Sequence, residues 1–165
     1  MAFDYLLKHA LVPGVTSCEE EGKGIRLDPI GDETIIVFHL DNPKVRTQFK
    51  LTEEHCCDYL FFYKHKDKPA FLLFVELKGR DGIDTAAKQI LSAYHALCPD
   101  GCEMRAEAKG LIVSPNPFPK KKLQQHSSRA DIRLFYVSVK KNKCDLREVQ
   151  ELKAYFQSSD RKRRR

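Results

Sequence analysis

The 165-residue sequence has no CxxC pair, no apolar run long enough to cross a bilayer and no internal repeat. Without a CxxC pair or a secretory signal, the six cysteines are predicted to be reduced thiols rather than a disulfide framework. Without a spanning segment, no membrane association is expected and a cytoplasmic location is predicted. Without repeats or low-complexity segments, the chain is expected to fold around a core.

The sequence also has almost no net charge outside its C-terminus. The formal charge is +6, from 29 Lys and Arg against 23 Asp and Glu, but removing the five basic residues 161–165 leaves 24 against 23. A second basic concentration lies within residues 120–143, which hold eight Lys and Arg against the single Asp131. A nucleic-acid-binding charge over the whole protein is therefore excluded, whereas a local basic face is predicted.

Length and patterning predict one α/β domain over residues 1–158, followed by a basic tail at 159–165. Apolar periodicity predicts helices over 3–11, 85–97 and 146–156, and β-branched or apolar runs predict strands over 34–40, 57–64, 70–78, 110–114 and 132–139. Residues 45–51 are expected to extend or pair with the first strand, residues 115–128 to form one long connection, and Asp84 or Thr85 to cap the second helix. This order predicts a mixed sheet flanked by helices.

A hairpin is predicted where the polar segment 65–69 separates two apolar runs. If its turn is centred on Asp67, each residue i lies opposite residue 134 − i, which places Asp58 opposite Glu76 with Cβ atoms about 4.5–5.5 Å apart. Because side chains alternate along a strand, Glu76 and Lys78 share one face while Leu77 points to the other. Asp58, Glu76 and Lys78 are therefore expected to converge.

Two carboxylates at this distance repel each other, and a divalent cation between them would remove the conflict. Carboxylate oxygens, a backbone carbonyl and water suit Mg²⁺ or Mn²⁺. Lys78 would then orient or deprotonate a water whose pKa the cation lowers. This pattern predicts hydrolytic chemistry on a phosphate.

The spacing of these residues resembles the PD-(D/E)xK nuclease superfamily. Asp58, seventeen intervening residues and then Glu76-Leu77-Lys78, with an apolar run before the Glu and a helix after the Lys, extend the resemblance over about residues 57–114. The resemblance implies an αβββαβ restriction-endonuclease-like core that hydrolyses phosphodiester bonds with Mg²⁺ or Mn²⁺. It also implies that Asp58, Glu76 and the Leu77 carbonyl are metal ligands, and that Lys78 positions water or stabilises charge.

Two further residues follow from the resemblance. Many members carry a catalytic Gln on the next helix, where this chain has Gln89. An acidic residue from the first helix often joins the site, and Glu20 is the candidate ligand if residues 19–21 extend that helix. The proline often found before the Asp is Cys57 here, which departs from the pattern.

Nucleic acid is the expected partner, with DNA favoured over RNA. The basic run Lys120, Lys121 and Lys122, following a strand, is predicted to contact flanking phosphates. Small nucleases of this type often pair to cut two strands, so a homodimer is a further expectation.

Other interpretations stay open at this stage. Glu76 and Lys78 would equally suit an ordinary ion pair at a strand end, and the same fold would serve as a non-catalytic module that binds nucleic acid or protein. A redox or zinc protein built on the cysteines is a third class. Cys98 and Cys102 resemble half of a zinc site, but no second pair with ligand spacing follows.

Overall fold

The computed structural model describes residues 2–20, 22–66, 68–78, 82–100, 106–117, 120–128, 132–139 and 142–156, so the predicted tail at 159–165 and Cys102 lie outside the described residues. The helices are α1 (Ala2–His9), α2 (Pro43–Phe49), α3 (Ile83–Leu97), α4 (Lys120–Ser128) and α5 (Lys153–Phe156), with 3₁₀ turns at Glu53–His55 and Leu146–Glu148. The strands are β1 (Ser17–Glu20), β2 (Lys23–Arg26), β3 (Glu33–His39), β4 (Tyr59–His65), β5 (Phe71–Leu77), β6 (Glu107–Ser114), β7 (Arg133–Ser138) and β8 (Asn142–Asp145).

A five-stranded mixed sheet in the order β3-β4-β5-β6-β7 forms the centre of the fold. Strands β3, β4 and β5 run antiparallel, whereas β5, β6 and β7 run parallel. The carboxyl ends of β3, β5, β6 and β7 and the start of β4 therefore meet at one edge, which we call the carboxyl edge. Strands β1, β2 and β8 form a separate small sheet. The predicted α/β class is confirmed.

Both faces of the large sheet are covered. Along β5, Leu72 and Phe74 belong to the cluster under α1 and α3, whereas Leu73 and Val75 belong to the cluster under the small sheet and α5. Glu76 continues the first series, so its side chain lies on the helical face, and Leu77 lies on the other face. The alternation of β5 thus places an acidic side chain at the end of an apolar series.

Residues 45–51, expected to be extended, lie mainly in α2. The Asn42 side chain accepts a hydrogen bond from Val45 N at 3.1 Å, and Pro43 occupies the first turn. An Asn cap followed by proline favours a helix start, which outweighs the β-branched Val45. The helix ends at Lys50, whose backbone is left-handed with φ 53°.

The predicted long connection 115–128 was also wrong, because α4 occupies its second half. Lys, Leu and Gln all have high helix propensity, and Leu123 packs against the core on the helical face. The basic run therefore begins a helix instead of lying in a loop. The predicted cap of α3 was wrong as well, since the residue before this helix is Gly82, with φ 101°.

Two segments predicted to be helical adopt other structures: the acidic segment that contains Glu20 and the amphipathic segment 146–156. Glu20 lies in β1, paired with Lys23 across a turn at Gly22, and does not extend the first helix. The predicted helix 146–156 is divided into a 3₁₀ turn and α5, because Val149 is extended with φ −71° and ψ 114°.

Within the described ranges, every helix is too short or too polar to cross a bilayer.

Candidate active site

The β4–β5 hairpin has the predicted register. Tyr59 pairs with Val75 and Tyr63 with Phe71, and each pair of residue numbers adds up to 134. One residue beyond the strand, Asp58 N donates a hydrogen bond to Glu76 Oε2 at 3.2 Å. The sequence prediction of the hairpin and its pairing is confirmed.

Asp58, Glu76 and Lys78 meet at the carboxyl edge. Leu77 N donates to Asp58 Oδ2 at 2.6 Å, and Lys78 Nζ lies 2.8 Å from Glu76 Oε1. The Glu76 side chain is 2% exposed and that of Lys78 20% exposed. Lys78 N donates to Val113 O at 2.7 Å, so the end of β6 fixes the backbone that carries the lysine.

Burial favours the protonated form of both carboxyl groups. It raises the pKa of Glu76 from 4.5 to about 8, and the neighbouring Asp58 adds to that rise, which Lys78 opposes. Burial likewise raises the pKa of Asp58 from 3.8 to about 6, against the hydrogen bond from Leu77 N. A single lysine therefore leaves the pair short of positive charge, which a cation would supply.

A second Glu-x-Lys pair shows what sets this site apart. Glu107 and Lys109 on β6 also form an ion pair of 2.8 Å, but the Glu107 side chain is 49% exposed. Burial would raise the pKa of Glu107, yet Lys109 and Tyr155 hold it below its usual value. The Glu-x-Lys spacing alone thus produces an ordinary ion pair, and burial beside a second acid distinguishes Glu76.

Two more acidic residues influence the ionisation of Asp58. The charges of Glu20 and Asp41 both raise the pKa of Asp58, so both acids act on it electrostatically. Asp41 N also lies 3.4 Å from Asp58 O, and Asp41 Oδ1 accepts a hydrogen bond from Arg46 Nη1 at 2.9 Å. Sequence reasoning missed Asp41, because Asp-Asn-Pro after β3 indicated only a turn.

Gln89 lies in the middle of α3 and connects this helix to the segment before Asp58. Its Nε2 donates to Glu53 O at 3.1 Å and to Cys56 O at 3.3 Å. The side chain is 8% exposed, and its buried Oε1 has no protein partner among the described residues. Its amide nitrogen holds backbone carbonyls, so a direct catalytic role for Gln89 stays a prediction.

The basic run lies at the start of α4, the next helix after β6, and β6 ends at the carboxyl edge. Lys121 and Lys122 are exposed, and Lys122 Nζ lies 3.5 Å from Asp84 Oδ2, while Asp84 Oδ1 lies 2.7 Å from His126 Nε2. The side chain of Lys120 lies outside the described part. Phosphate binding by this run stays a prediction.

A hard divalent cation fits the donor set only in part. Across the described ranges, no group of three or more His, Cys, Asp or Glu side chains is arranged to hold a metal ion. Mg²⁺, however, keeps several waters and is often bound by one or two protein carboxylates. Asp58 and Glu76 supply these, and the Leu77 carbonyl would be the third protein donor.

The cysteines near the site are buried. Cys56 and Cys57 are 1% and 0% exposed and not disulfide-bonded. Burial raises the pKa of Cys56 to about 12 and that of Cys57 also upwards. Reactive thiolates are therefore not favoured beside Asp58.

The raised pKa values predict that the metal-free protein loses stability with rising pH. The contribution of Glu76 is fully present below its unfolded pKa of 4.5 and is lost as the pH rises through about 8. Asp58 acts in the same direction, with loss through about 6. In chelator, the melting temperature of Glu76→Gln relative to wild type should therefore increase from pH 5 to pH 9. The exposed Glu54→Gln serves as control, and a difference for Glu76→Gln that does not change with pH would contradict the assignment.

Comparison with known proteins adds no family. No protein-family model matches the chain, and no curated protein or solved structure is significantly similar to it. Any function must therefore be argued from the residues themselves.

Proposed function

We propose that this protein is a metal-dependent nuclease that hydrolyses phosphodiester bonds in nucleic acid, DNA in preference to RNA. One observation carries the proposal: Asp58 and Glu76 are joined by a hydrogen bond from Asp58 N at a sheet edge, and the buried Glu76 carboxyl group lies 2.8 Å from the Lys78 ammonium. Burying two acids together costs stability, so the arrangement needs a reason other than folding. Perturbed titratable groups gathered in this way are typical of functional sites.

The order of elements supports the same proposal. Helix α1, the meander β3-β4-β5, helix α3 and the parallel strand β6 follow the αβββαβ order of the restriction-endonuclease-like core. The small sheet β1-β2-β8, strand β7 and helices α2, α4 and α5 are additional to that order. Asp58 at the start of the second core strand and Glu76 at the end of the third agree with the spacing of the PD-(D/E)xK pattern.

In this proposal, Asp58, Glu76 and the Leu77 carbonyl would hold Mg²⁺ or Mn²⁺. Such an ion, when bound, lowers the pKa of water and stabilises negative charge on a phosphate oxygen. Lys78, held by Glu76 and by the backbone of β6, orients the attacking water and stabilises the charge that develops on the phosphate. Gln89 fixes the Cys56 carbonyl, two residues before Asp58, to α3.

A non-catalytic module for nucleic acid or protein is the second candidate. It is favoured by the lack of a three-ligand group among the described residues and by the ion pair that Lys78 already makes with Glu76. In that case the ion pair would be the final state of the site, and no metal would be needed.

Nicking of supercoiled plasmid separates the two candidates. With Mg²⁺, the full-length chain should convert supercoiled plasmid to open-circle or linear DNA, and excess EDTA should stop the reaction, because two carboxylates and one carbonyl cannot activate water without the ion. Restoring Mg²⁺ should restore cleavage. Equal cleavage with and without EDTA, or binding of nucleic acid with no cleavage in Mg²⁺ or Mn²⁺, would refute the nuclease proposal.

A further inference from the structure

His39 and Tyr59 form a stacked ring pair at the carboxyl edge, immediately beside Asp58. The two residues are cross-strand partners on β3 and β4. Their ring centroids are 5.2 Å apart with an interplanar angle of 30°. His39 is exposed and Tyr59 partly buried. Tyr59 pairs with Val75 and packs against the cluster under the small sheet, so the rings reach solvent one residue away from Asp58 but on the sheet face opposite to Glu76.

Charge is unevenly distributed along this edge. On the side of β3 and β4, the side chains near the ring pair are acidic. Asp58 immediately precedes β4, and Asp41 lies two residues after the end of β3.

The basic run lies on the opposite side of the sheet, whereas the Arg46 guanidinium on the β3 side is paired with Asp41 and Glu53 at 2.9 Å each. Lys121 and Lys122 belong to α4, which packs against β7, the strand at the other end of the order β3-β4-β5-β6-β7. We therefore expect phosphates to be attracted more strongly on the β7 side than on the β3 side.

A nucleic-acid strand that crosses the edge therefore needs a different kind of contact near β3. Every base has an aromatic face that stacks on His or Tyr rings, and this contact does not depend on phosphate charge. A base can stack on a protein ring only when it is not held inside a duplex. The geometry thus favours a substrate that is unpaired where it meets the ring pair.

We propose that the His39–Tyr59 pair stacks on an unpaired base next to the cleaved phosphate, and that the substrate is nucleic acid with a single-stranded segment at the cleavage site. This inference rests on the nuclease function proposed above. It assigns His39 and Tyr59 to substrate recognition, and it makes Lys121 and Lys122 the contacts for phosphates farther along the strand.

Binding to a single-stranded DNA oligonucleotide and to the blunt duplex of the same sequence tests the inference. Fluorescence anisotropy in EDTA measures affinity in the full-length chain without cleavage. His39→Ala and Tyr59→Ala should each weaken single-strand binding by about 5- to 100-fold, the loss expected for one stacking ring. Tyr59→Phe, which keeps the ring, should bind normally, and duplex binding should change less than about twofold in all variants.

Tyr155→Ala is the matched control, because Tyr155 stacks on Phe71 at the opposite edge of the sheet, with centroids 4.4 Å apart. It should leave single-strand binding unchanged. His39 is exposed, so its variant gives a result even if Tyr59→Ala does not fold. In Mg²⁺, His39→Ala should raise the KM for single strands and leave kcat nearly unchanged.

Unchanged single-strand affinity in His39→Ala, or equal losses for single strand and duplex, would overturn the inference and leave the nuclease proposal intact. A wild-type protein that fails to cleave, but whose single-strand affinity falls in His39→Ala, would overturn the nuclease proposal and retain the stacking surface.

Discussion

Replacing Glu76 with glutamine is expected to reduce Mg²⁺-dependent cleavage by at least about 10²-fold. Glutamine keeps the size of the side chain but removes the charge that a divalent cation needs. Lys78→Met should cause a loss of the same order, because it removes the ammonium group that lies 2.8 Å from Glu76 Oε1. Initial rates of oligonucleotide cleavage at fixed Mg²⁺ measure both effects.

The Glu107 and Lys109 pair provides a control with the same spacing and the same 2.8 Å contact. Glu107→Gln and Lys109→Met should leave cleavage within about twofold of wild type, since this pair lies at the opposite edge of the large sheet. Glu76→Gln should remain folded, because it relieves a buried charge. Wild-type rates in Glu76→Gln, or equal losses in both pairs, would refute the assignment of the site.

Replacing Glu33 with alanine is expected to destabilise the fold by about 3–5 kcal/mol, the usual cost of leaving a buried partner charge uncompensated. The Glu33 side chain is 1% exposed and forms an ion pair with Arg147. It also accepts hydrogen bonds from Tyr63 Oη at 2.9 Å and Ile30 N at 2.8 Å. Burial would raise the pKa of Glu33, but Arg147 and these donors hold it below its usual value.

Arg147 extends this network to two backbone carbonyls, donating to Asp28 O at 2.6 Å and Phe156 O at 2.9 Å. Loss of Glu33 therefore loosens the attachment of the C-terminal segment to β3. Urea unfolding at neutral pH measures the change in the free energy of unfolding.

The neighbouring residue supplies the control for this prediction. Asp32 pairs with Lys66 at 3.1 Å, with both side chains 66% exposed, so Asp32→Ala should cost less than about 1 kcal/mol. A Glu33→Ala variant as stable as Asp32→Ala would show that the buried pair does not hold the C-terminal segment.

The hairpin could be predicted from the sequence because its determinants are local. Two apolar runs separated by a short polar segment fix a turn, and the period of two then fixes which residues face each other. The register of β4 and β5 follows from this, and with it the contact between Asp58 and Glu76.

The remaining parts of the site depend on contacts between distant segments. Glu20 comes near Asp58 through the small sheet, in which β2 pairs with β8 from the other end of the chain. Asp41 comes near Asp58 because Leu40 N donates to Asp58 O at 2.8 Å, extending the pairing beyond the strands. Neither contact leaves a periodic signal in the sequence.

Local signals were outweighed in two helices. In α2, the Asn42 cap and Pro43 outweigh the strand preference of Val45. In α4, helix-forming residues and the packing of Leu123 outweigh the turn preference of the prolines before it. The buried polar contact between Glu33 and Arg147 could not be predicted from the sequence either. Nothing in the pattern around these residues indicates that they meet across 114 residues.

A crystal structure of the protein soaked in Mn²⁺, with anomalous diffraction recorded, tests the central claim most directly. We expect one strong anomalous peak in contact with carboxylate oxygens of both Asp58 and Glu76 and with the Leu77 carbonyl. In that state Lys78 Nζ should face the ion's solvent side. Density that shows Glu76 still paired with Lys78, with no anomalous peak between the two carboxylates at saturating Mn²⁺, would contradict the account.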